Sequence, residues 1–389
     1  MTSSLPRLFS FRLSAGFASG LLLLCPRSVF AESIISYKYE DYHESAGRIA
    51  VKTQGALFQQ DLGPQMQLKV TGVIDAIAGA TPNGQPAPIG SDQVVLTDIR
   101  DRRKAWNLDF SRQFPRVTLA LGVANSRESD YTSTGWSINT LTDFNQKNTT
   151  VLAGVAGTSD DVKVFYQPTW AKKRSNDLIL GVTQLLDAHS FLSLNFTWGR
   201  ATGYLNDQYK LVQKDREVAP GVFLPFTFGE NRPAERTKWI ALASWNRDLP
   251  AAHAALEASY RFYHDTFGTR AQTMTLSWLQ HLGSNFILQP QVRFHDQRAA
   301  NFYYYDLDST SIIPTAGAPN PAGPFYSSDY RLSALRTTLY GLKAIWTPSP
   351  RWQLDAAIDH YEMRGTDSIT PRSAYPRAMI LTFGARLAW

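Results

Sequence analysis

A single cysteine, Cys25, occurs in 389 residues, so no disulfide is available to the chain within itself. Charge is also scarce. Asp, Glu, Lys and Arg make up 19% of the chain, the formal net charge is +6, and no run of Lys or Arg exceeds three residues. A basic nucleic-acid-binding surface is therefore not expected. Beyond residue 31 there is no apolar stretch of 18 residues, which excludes a bundle of membrane-spanning helices. Absent too are the nucleophile elbow, the phosphate-binding loop, the dinucleotide fingerprint and the zinc-protease helix. No cofactor, no metal and no catalytic residue is expected on these grounds, and an enzyme is not the leading expectation.

Aromatic residues make up 12% of the chain, accompanied by abundant Thr, Ser, Asn and Gln, a composition of polar-lined β-structure. At the N-terminus, Arg7 and Arg12 precede an apolar run from Ala15 to Leu24, and Val29-Phe30-Ala31 offers small residues for a peptidase. This reads as a signal peptide over 1–31, cut after Ala31, on a protein exported in a Gram-negative cell. The apolar run is too short for a core that needs about 20 residues to cross. Residues 32–389 then form one domain.

Alternation within that domain has a period of two. Over 65–76, Met66, Leu68, Val70 and Ile74 oppose Gln65, Gln67, Lys69, Thr71 and Asp75. Over 191–199, Leu192, Leu194, Phe196 and Trp198 oppose Ser193, Asn195 and Thr197. Similar alternation recurs over 254–263 and 286–295. One greasy and one wet face, sustained for about 10 residues or more, is the pattern of a tilted transmembrane β-strand. Tight turns recur at 61–64, 114–116, 146–148, 187–189, 248–250, 282–284 and 348–350. Longer polar connections lie at 79–102, 125–133, 158–172, 204–235, 265–270, 300–329 and 364–375. This sorting of connections predicts a closed antiparallel barrel of about sixteen strands, within two, with short periplasmic turns and long extracellular loops. The last strand alternates Met379, Leu381, Phe383, Ala385 and Leu387 with Ile380, Thr382, Gly384 and Arg386, and ends on Trp389. Such a strand resembles the signal read by the barrel-assembly machinery, so that machinery and outer-membrane lipid are the expected partners. Trp245, Trp346, Trp352 and Trp389 fall near the expected short turns, as one interfacial girdle requires.

Several stretches carry a resemblance to a family. They include Asp75-Ala76-Ile77-Ala78-Gly79-Ala80-Thr81-Pro82, Glu128-Ser129-Asp130-Tyr131, Asn145-Gln146-Lys147-Asn148-Thr149-Thr150 and Gly203-Tyr204-Leu205. Arg232-Pro233-Ala234-Glu235-Arg236-Thr237, residues 258–265, Tyr326-Ser327-Ser328-Asp329-Tyr330-Arg331-Leu332-Ser333 and Ser373-Ala374-Tyr375-Pro376 continue the series. Taken in order, these resemble the uncharacterised outer-membrane family known as domain of unknown function 3570. The resemblance implies a barrel in the outer membrane and assigns no reaction. It also implies possible company with exported flavin-transferase and thioredoxin-type proteins, although no residue here marks a flavin site.

Parity predicts a lumen of mixed charge. Arg48, Lys52, Lys69, Arg261, Arg293, Lys343 and Arg386 face it with Asp75, Asp109, Glu257, Asp355, Asp359 and His295. Such a lining suits either a weakly anion-favouring pore or a structural salt-bridge network. Asp265, His295 and Asp359 near the outer rim offer acid–base or metal chemistry, against the plainer expectation of polar rim residues. Segment 204–235 is long enough to enter the barrel as a plug or to stand as a surface loop. A pore or transport component of unknown solute is the leading expectation. A rim enzyme and an assembly partner of an exported redox system are the alternatives.

Overall fold

The computed structural model describes residues 33–389. The expected signal peptide and its cleavage point lie outside the described residues. The strands are β1 (Ile34–Glu44), β2 (Ala50–Asp61), β3 (Met66–Pro82), β4 (Leu96–Gln113), β5 (Val117–Arg127) and β6 (Tyr131–Phe144). They continue with β7 (Thr149–Val162), β8 (Ala171–Asp187), β9 (Ser190–Gly203), β10 (Leu211–Ala219), β11 (Val222–Gly229) and β12 (Glu235–Leu249). The remainder are β13 (Ala254–Asp265), β14 (Arg270–Leu282), β15 (Phe286–Gln297), β16 (Leu335–Ser349), β17 (Trp352–Gly365) and β18 (Arg377–Ala388).

Sixteen of these close into one antiparallel barrel, and β10 and β11 form a separate hairpin. Closure is made by β1 against β18, in register from Ile34 opposite Ala388 to Glu44 opposite Ala378. The seam is tied at its foot by Ser33 N–H to Trp389 O at 3.1 Å and Trp389 N–H to Ser33 O at 3.0 Å. No strand edge is left in the wall, which is the condition for a sheet surrounded by hydrocarbon.

The two faces follow from the pleat. On β4, Trp106, Leu108 and Phe110 point outward and are exposed, while Asn107 and Asp109 between them point inward. Trp136, Leu180, Phe196, Leu276, Leu342 and Phe383 extend the same apolar band around the outside. Trp245, Trp346, Trp352 and Trp389 are exposed at the short-turn end, where Phe58 and Trp389 place their rings 6.4 Å apart. One of these turns, Asn145–Lys147, holds three successive residues at φ 48°, 55° and 70°, left-handed backbone that closes the β6–β7 connection.

At the other end the wall rises past the apolar band, and several connections are shorter than their composition suggests. The expected loops at 125–133, 158–172 and 265–270 shrink to 128–130, 163–170 and 266–269. The reason is ion pairing across neighbouring strands in polar sequence: Lys173 meets Asp160 at 3.3 Å, and Lys172 meets Asp161 on the opposite face. Two loops remain long, 204–234, which carries the β10–β11 hairpin, and 298–334.

The outward band fixes a test of the two faces. Leu276→Arg, at mid-height on the outside, is expected to lower the stability of the barrel in bilayers by about 2–4 kcal/mol, whereas Thr275→Gln on the inside changes it little. Equilibrium unfolding in lipid measures both, and equal effects would contradict the assignment of faces.

Candidate functional site

The lumen wall is built from short polar side chains held flat. At six places, on five pairs of neighbouring strands, an Asp or Asn stands directly opposite a glycine. The pairs are Asp109 and Gly122, Asn139 and Gly154, Gly181 and Asn195, Asp177 and Gly199, Gly341 and Asp359, and Asp355 and Gly384. A Cβ added at each of these glycines would sit under 3.0 Å from the Oδ1 of its partner. The missing side chain is what lets the carboxylate or amide lie along the wall instead of reaching across the lumen.

Eleven of the residues assigned to the lumen from parity point inward, among them Arg386 opposite Ser36 and Gln353, each with its own neighbours. Asp75 accepts from Thr53 Oγ1 at 2.7 Å and pairs with Arg103 at 2.5 Å. Lys69 stands opposite Asp109, which also receives Asn107 Nδ2. Lys343 and Asp355 lie 3.6 Å apart, and Gln291 Nε2 donates to Asp359 at 2.7 Å. Glu257 is opposite Asn246 and Ser277, and Arg293 is opposite Thr275 and Leu339. Arg261 lies 5.5 Å from the Tyr263 ring, and His295 Nδ1 is 2.8 Å from Thr273 Oγ1.

Lys52 is a correction. It stands on the outward face opposite Ala76, because Thr53 is the β2 residue in register with Asp75. Alternation misleads here, since Val51 and Leu57 on the inner face are themselves apolar and buried. Arg48 is not in the wall either; it lies in the β1–β2 turn, bonded to Glu44 at 2.9 Å and to Ser373 O at 2.8 Å. Lumen groups that parity reading missed include Lys38, Glu40, Arg103 and the pair Lys238–Asp177 at 2.8 Å. The rim residues Asp265, His295 and Asp359 are held by different partners, with Asp265 bound by Arg236 at 2.7 Å and by Thr269 N–H at 3.0 Å.

Above this lining the mouth is filled. Wall residues Tyr42, Val51, Ile77, Leu339, Tyr361 and Ile380 turn apolar side chains inward, and Val94, Tyr330, Ala374 and Tyr375 from the loops pack on them. Two further apolar clusters join the loops to one another. In one, Phe267, Phe302 and Leu332 pack with Leu205; in the other, Val212, Leu307 and Tyr326 are fully buried together.

Between these clusters lies a buried group of three cations and three anions. Arg331 binds Asp207 and Asp329 at 2.5 Å each, and Arg232 binds Glu230 at 2.6 Å and Asp329 at 2.8 Å. Ser327 Oγ donates to Glu230 at 2.6 Å, and the Asp207 N–H donates to the same carboxylate. Lys210, 1% exposed, donates to Pro82 O and places its Nζ 5.5 Å from the Tyr330 ring centre. The group ties segment 204–234 to segment 298–334 across the mouth. Segment 204–234 is also tied to the β5–β6 turn, where Gln208 donates to Asp130 at 2.5 Å.

The electrostatics follow from burial and crowding. Burial pushes the Glu230 carboxyl up to about 7 against the pull of Arg232, with Asp207 and Asp329 adding to the rise. Burial likewise pushes Lys210 down to about 8. Burial alone would raise Asp329, but Arg331, Lys210 and Arg232 hold it far below the usual carboxylate range. At the β5–β6 turn, Asp101, Glu128 and Asp130 bring carboxylate oxygens within 4.8 Å of one another. Burial first, then Asp101 and Asp130, push Glu128 up to about 7 against Arg103.

Two outcomes are expected. Asp329→Ala removes the carboxylate shared by two buried guanidinium groups and leaves one buried cation in excess, a loss of about 3–5 kcal/mol. Limited proteolysis should then cut 204–234 and 298–334 far faster while heat-modifiable gel mobility shows the barrel intact. Glu230 and Glu128 hold their protons more tightly in the closed mouth than at the ordinary value of 4.5. The closed state therefore gains stability as pH falls from about 7 towards 4.5 and loses it as pH rises through that window. Hydrogen exchange in 204–234, corrected for intrinsic rate, should be slower at pH 5 than at pH 7.5, and Glu230→Gln with Glu128→Gln should flatten the difference.

Solved structures match the fold at low identity. CdiB from Acinetobacter baumannii is similar at a TM-score of 0.52 and 10% identity, covering 93% of this chain and 61% of that one. The siderophore receptor PirA from Pseudomonas aeruginosa gives a TM-score of 0.44 at 12% identity, and this chain spans 61% of its length. The outer membrane protein opdK from Pseudomonas aeruginosa gives 0.43 at 9% identity, covering 92% of this chain and 99% of that one. No curated protein matches in sequence. The family model described as protein of unknown function (DUF3570) matches residues 91–372, and the chain belongs to that family.

Proposed function

We propose that this protein is an outer-membrane channel or transport component whose extracellular mouth is closed by its own loops, and which opens when segment 204–234 parts from segment 298–334. The observation that carries the reading is the buried group of Asp207, Lys210, Glu230, Arg232, Asp329 and Arg331, which joins two loops over a polar lumen. A barrel needed only as an anchor gains nothing from Asp and Asn side chains folded flat against glycines along its inner wall. A passage does, because every side chain kept off the axis leaves width for a solute. Short turns at the end shared by both termini support a periplasmic placement of that end and an outside placement of the long loops. The amphipathic β18 ending at Trp389 supports delivery by the barrel-assembly machinery. Association with exported flavin or thioredoxin-type proteins is a further proposal, tested by co-purification.

Two measurements test the reading. In planar bilayers the wild type should show small or infrequent openings, and Asp329→Ala with Arg331→Ala should raise open probability or conductance. Silence from well-folded protein of both kinds would overturn it. On intact cells, added protease should cut at the exposed Ala219-Pro220-Gly221 tip of the β10–β11 hairpin, which reports orientation independently of conductance.

A further inference from the structure

Cations on the outer face of the long-loop end fall into two groups. Several are matched by a carboxylate. Arg200 pairs with Glu235 at 2.8 Å, Arg336 with Asp296 at 3.1 Å, Lys172 with Asp161, and Arg364, Arg372 and Arg377 all converge on Glu362. Lys52, Arg174 and Arg270 stand apart from one another without an ion-pair partner among the described residues, and only on β4 and β5 do four such cations cluster. Arg100, Arg102 and Lys104 occupy alternate outward positions and are all exposed, and Arg127 on β5 is exposed directly opposite Lys104. None of these four has an ion-pair partner among the described residues.

Their setting is specific. The strand continues downward on the same face through Trp106, Leu108 and Phe110, so the cations stand immediately above the apolar band. Beside them Ala76 lies opposite Arg102 and Ala78 opposite Arg100, both exposed, so the neighbouring wall ends at Cβ and leaves a shallow floor. Successive outward cations on one strand are roughly 6–7 Å apart, from a rise of about 3.3 Å per residue. Four like charges at this spacing repel one another; Asp98, the next outward residue beyond Arg100, stands at the end of the row, and no carboxylate lies between the four. An anion from the surroundings is what the face lacks.

We propose that the outer face of β3–β5 docks a phosphorylated glycolipid of the outer leaflet. Its phosphates are held by Arg100, Arg102, Lys104 and Arg127, and its acyl chains lie on Trp106, Leu108 and Phe110. Guanidinium groups bind phosphate through paired N–H donors, and an interfacial cation meets a headgroup there without entering hydrocarbon. The floor at Ala76 and Ala78 gives the sugar headgroup room to approach the wall. The inference rests on the long loops facing outward, as under the proposed function.

Native mass spectrometry of the detergent-solubilised full-length protein with added bisphosphorylated lipid A tests it. Wild type should retain one lipid. Retention should fall by about tenfold or more, the scale of one phosphate–guanidinium contact, in the quadruple variant Arg100→Gln/Arg102→Gln/Lys104→Gln/Arg127→Gln. Arg200→Gln, whose partner is Glu235, should leave it unchanged. Should the quadruple variant not fold, wild type offered lipid A stripped of its phosphates decides the matter, and its retention should fall by a similar factor. Equal retention of the stripped lipid would overturn the proposal. So would equal retention by the folded variant, or phosphatidylglycerol held as well as lipid A. A silent bilayer recording would sink the channel reading without touching this result, and loss of retention would leave conductance unaffected.

Discussion

The constraint on which everything else rests is that a sheet with an apolar outer face can leave no backbone N–H or C=O unpaired along an edge. β1 must therefore find β18, and the eleven-residue register from Ile34–Ala388 to Glu44–Ala378 is how the sheet loses its edges. Antiparallel closure with neighbours joined in sequence brings both ends to one rim. It also forces each strand to serve two solvents on alternate residues. The exposed Trp106, Leu108 and Phe110 and the inward Asn107 and Asp109 are one strand obeying both demands.

Closure creates an inside, and the chain fills that inside in two different ways. Along the lower wall, glycine faces Asp or Asn at six places, and the polar group lies where a Cβ would have been. At the mouth the inner face changes character. Tyr42, Val51, Ile77, Leu339 and Ile380 would be poor lining for water, and they are covered by Tyr330, Val94 and Tyr375 from the loops. An apolar inner face at one level only is a sign that protein, rather than water, occupies that level.

How much of this can be read from the sequence depends on whether the signal is local. Period-two alternation and the sorting of short and long connections are local, and they suffice for sixteen strands, the closed barrel and the inward direction of residues such as Asp75, Glu257 and Asp359. Lys52 fails because near the mouth its strand turns apolar Val51 inward and leaves the polar Lys52 and Gln54 outside, which inverts the usual parity. The ends of β7 and β8 fail for a different reason: Asp160, Asp161, Lys172 and Lys173 are polar on both faces and look like loop, although they pair across strands. The ion group of the plug is out of reach altogether. Arg331 and Asp207 are separated by 124 residues of chain, and no periodicity links their loops. Its only trace was that Arg232 and residues 326–333 lay in stretches with a family resemblance, which marked them without saying what they do.

For the opening proposed above, the distribution of contacts in the mouth limits which piece moves. Lifting Tyr330, Val94 and Tyr375 off the wall would expose a continuous apolar surface on both sides, at about 1.5–3 kcal/mol for each large side chain uncovered. With more than a dozen residues in that cluster, none of them from 204–234, such a movement approaches the whole stability of an ordinary domain. Segment 204–234 is held otherwise, by Leu205 and Val212 in small clusters, by hydrogen bonds such as those between Asn231 and Tyr326 and between Leu307 and Gln213, and by ions that can exchange each other for water. Water solvates separated arginines and carboxylates well, so the net cost of parting them is far below their mutual attraction in the closed state. The weaker boundary is therefore the ionic one, and the piece that can move without unmaking the mouth is 204–234, while 298–334 stays seated on the wall.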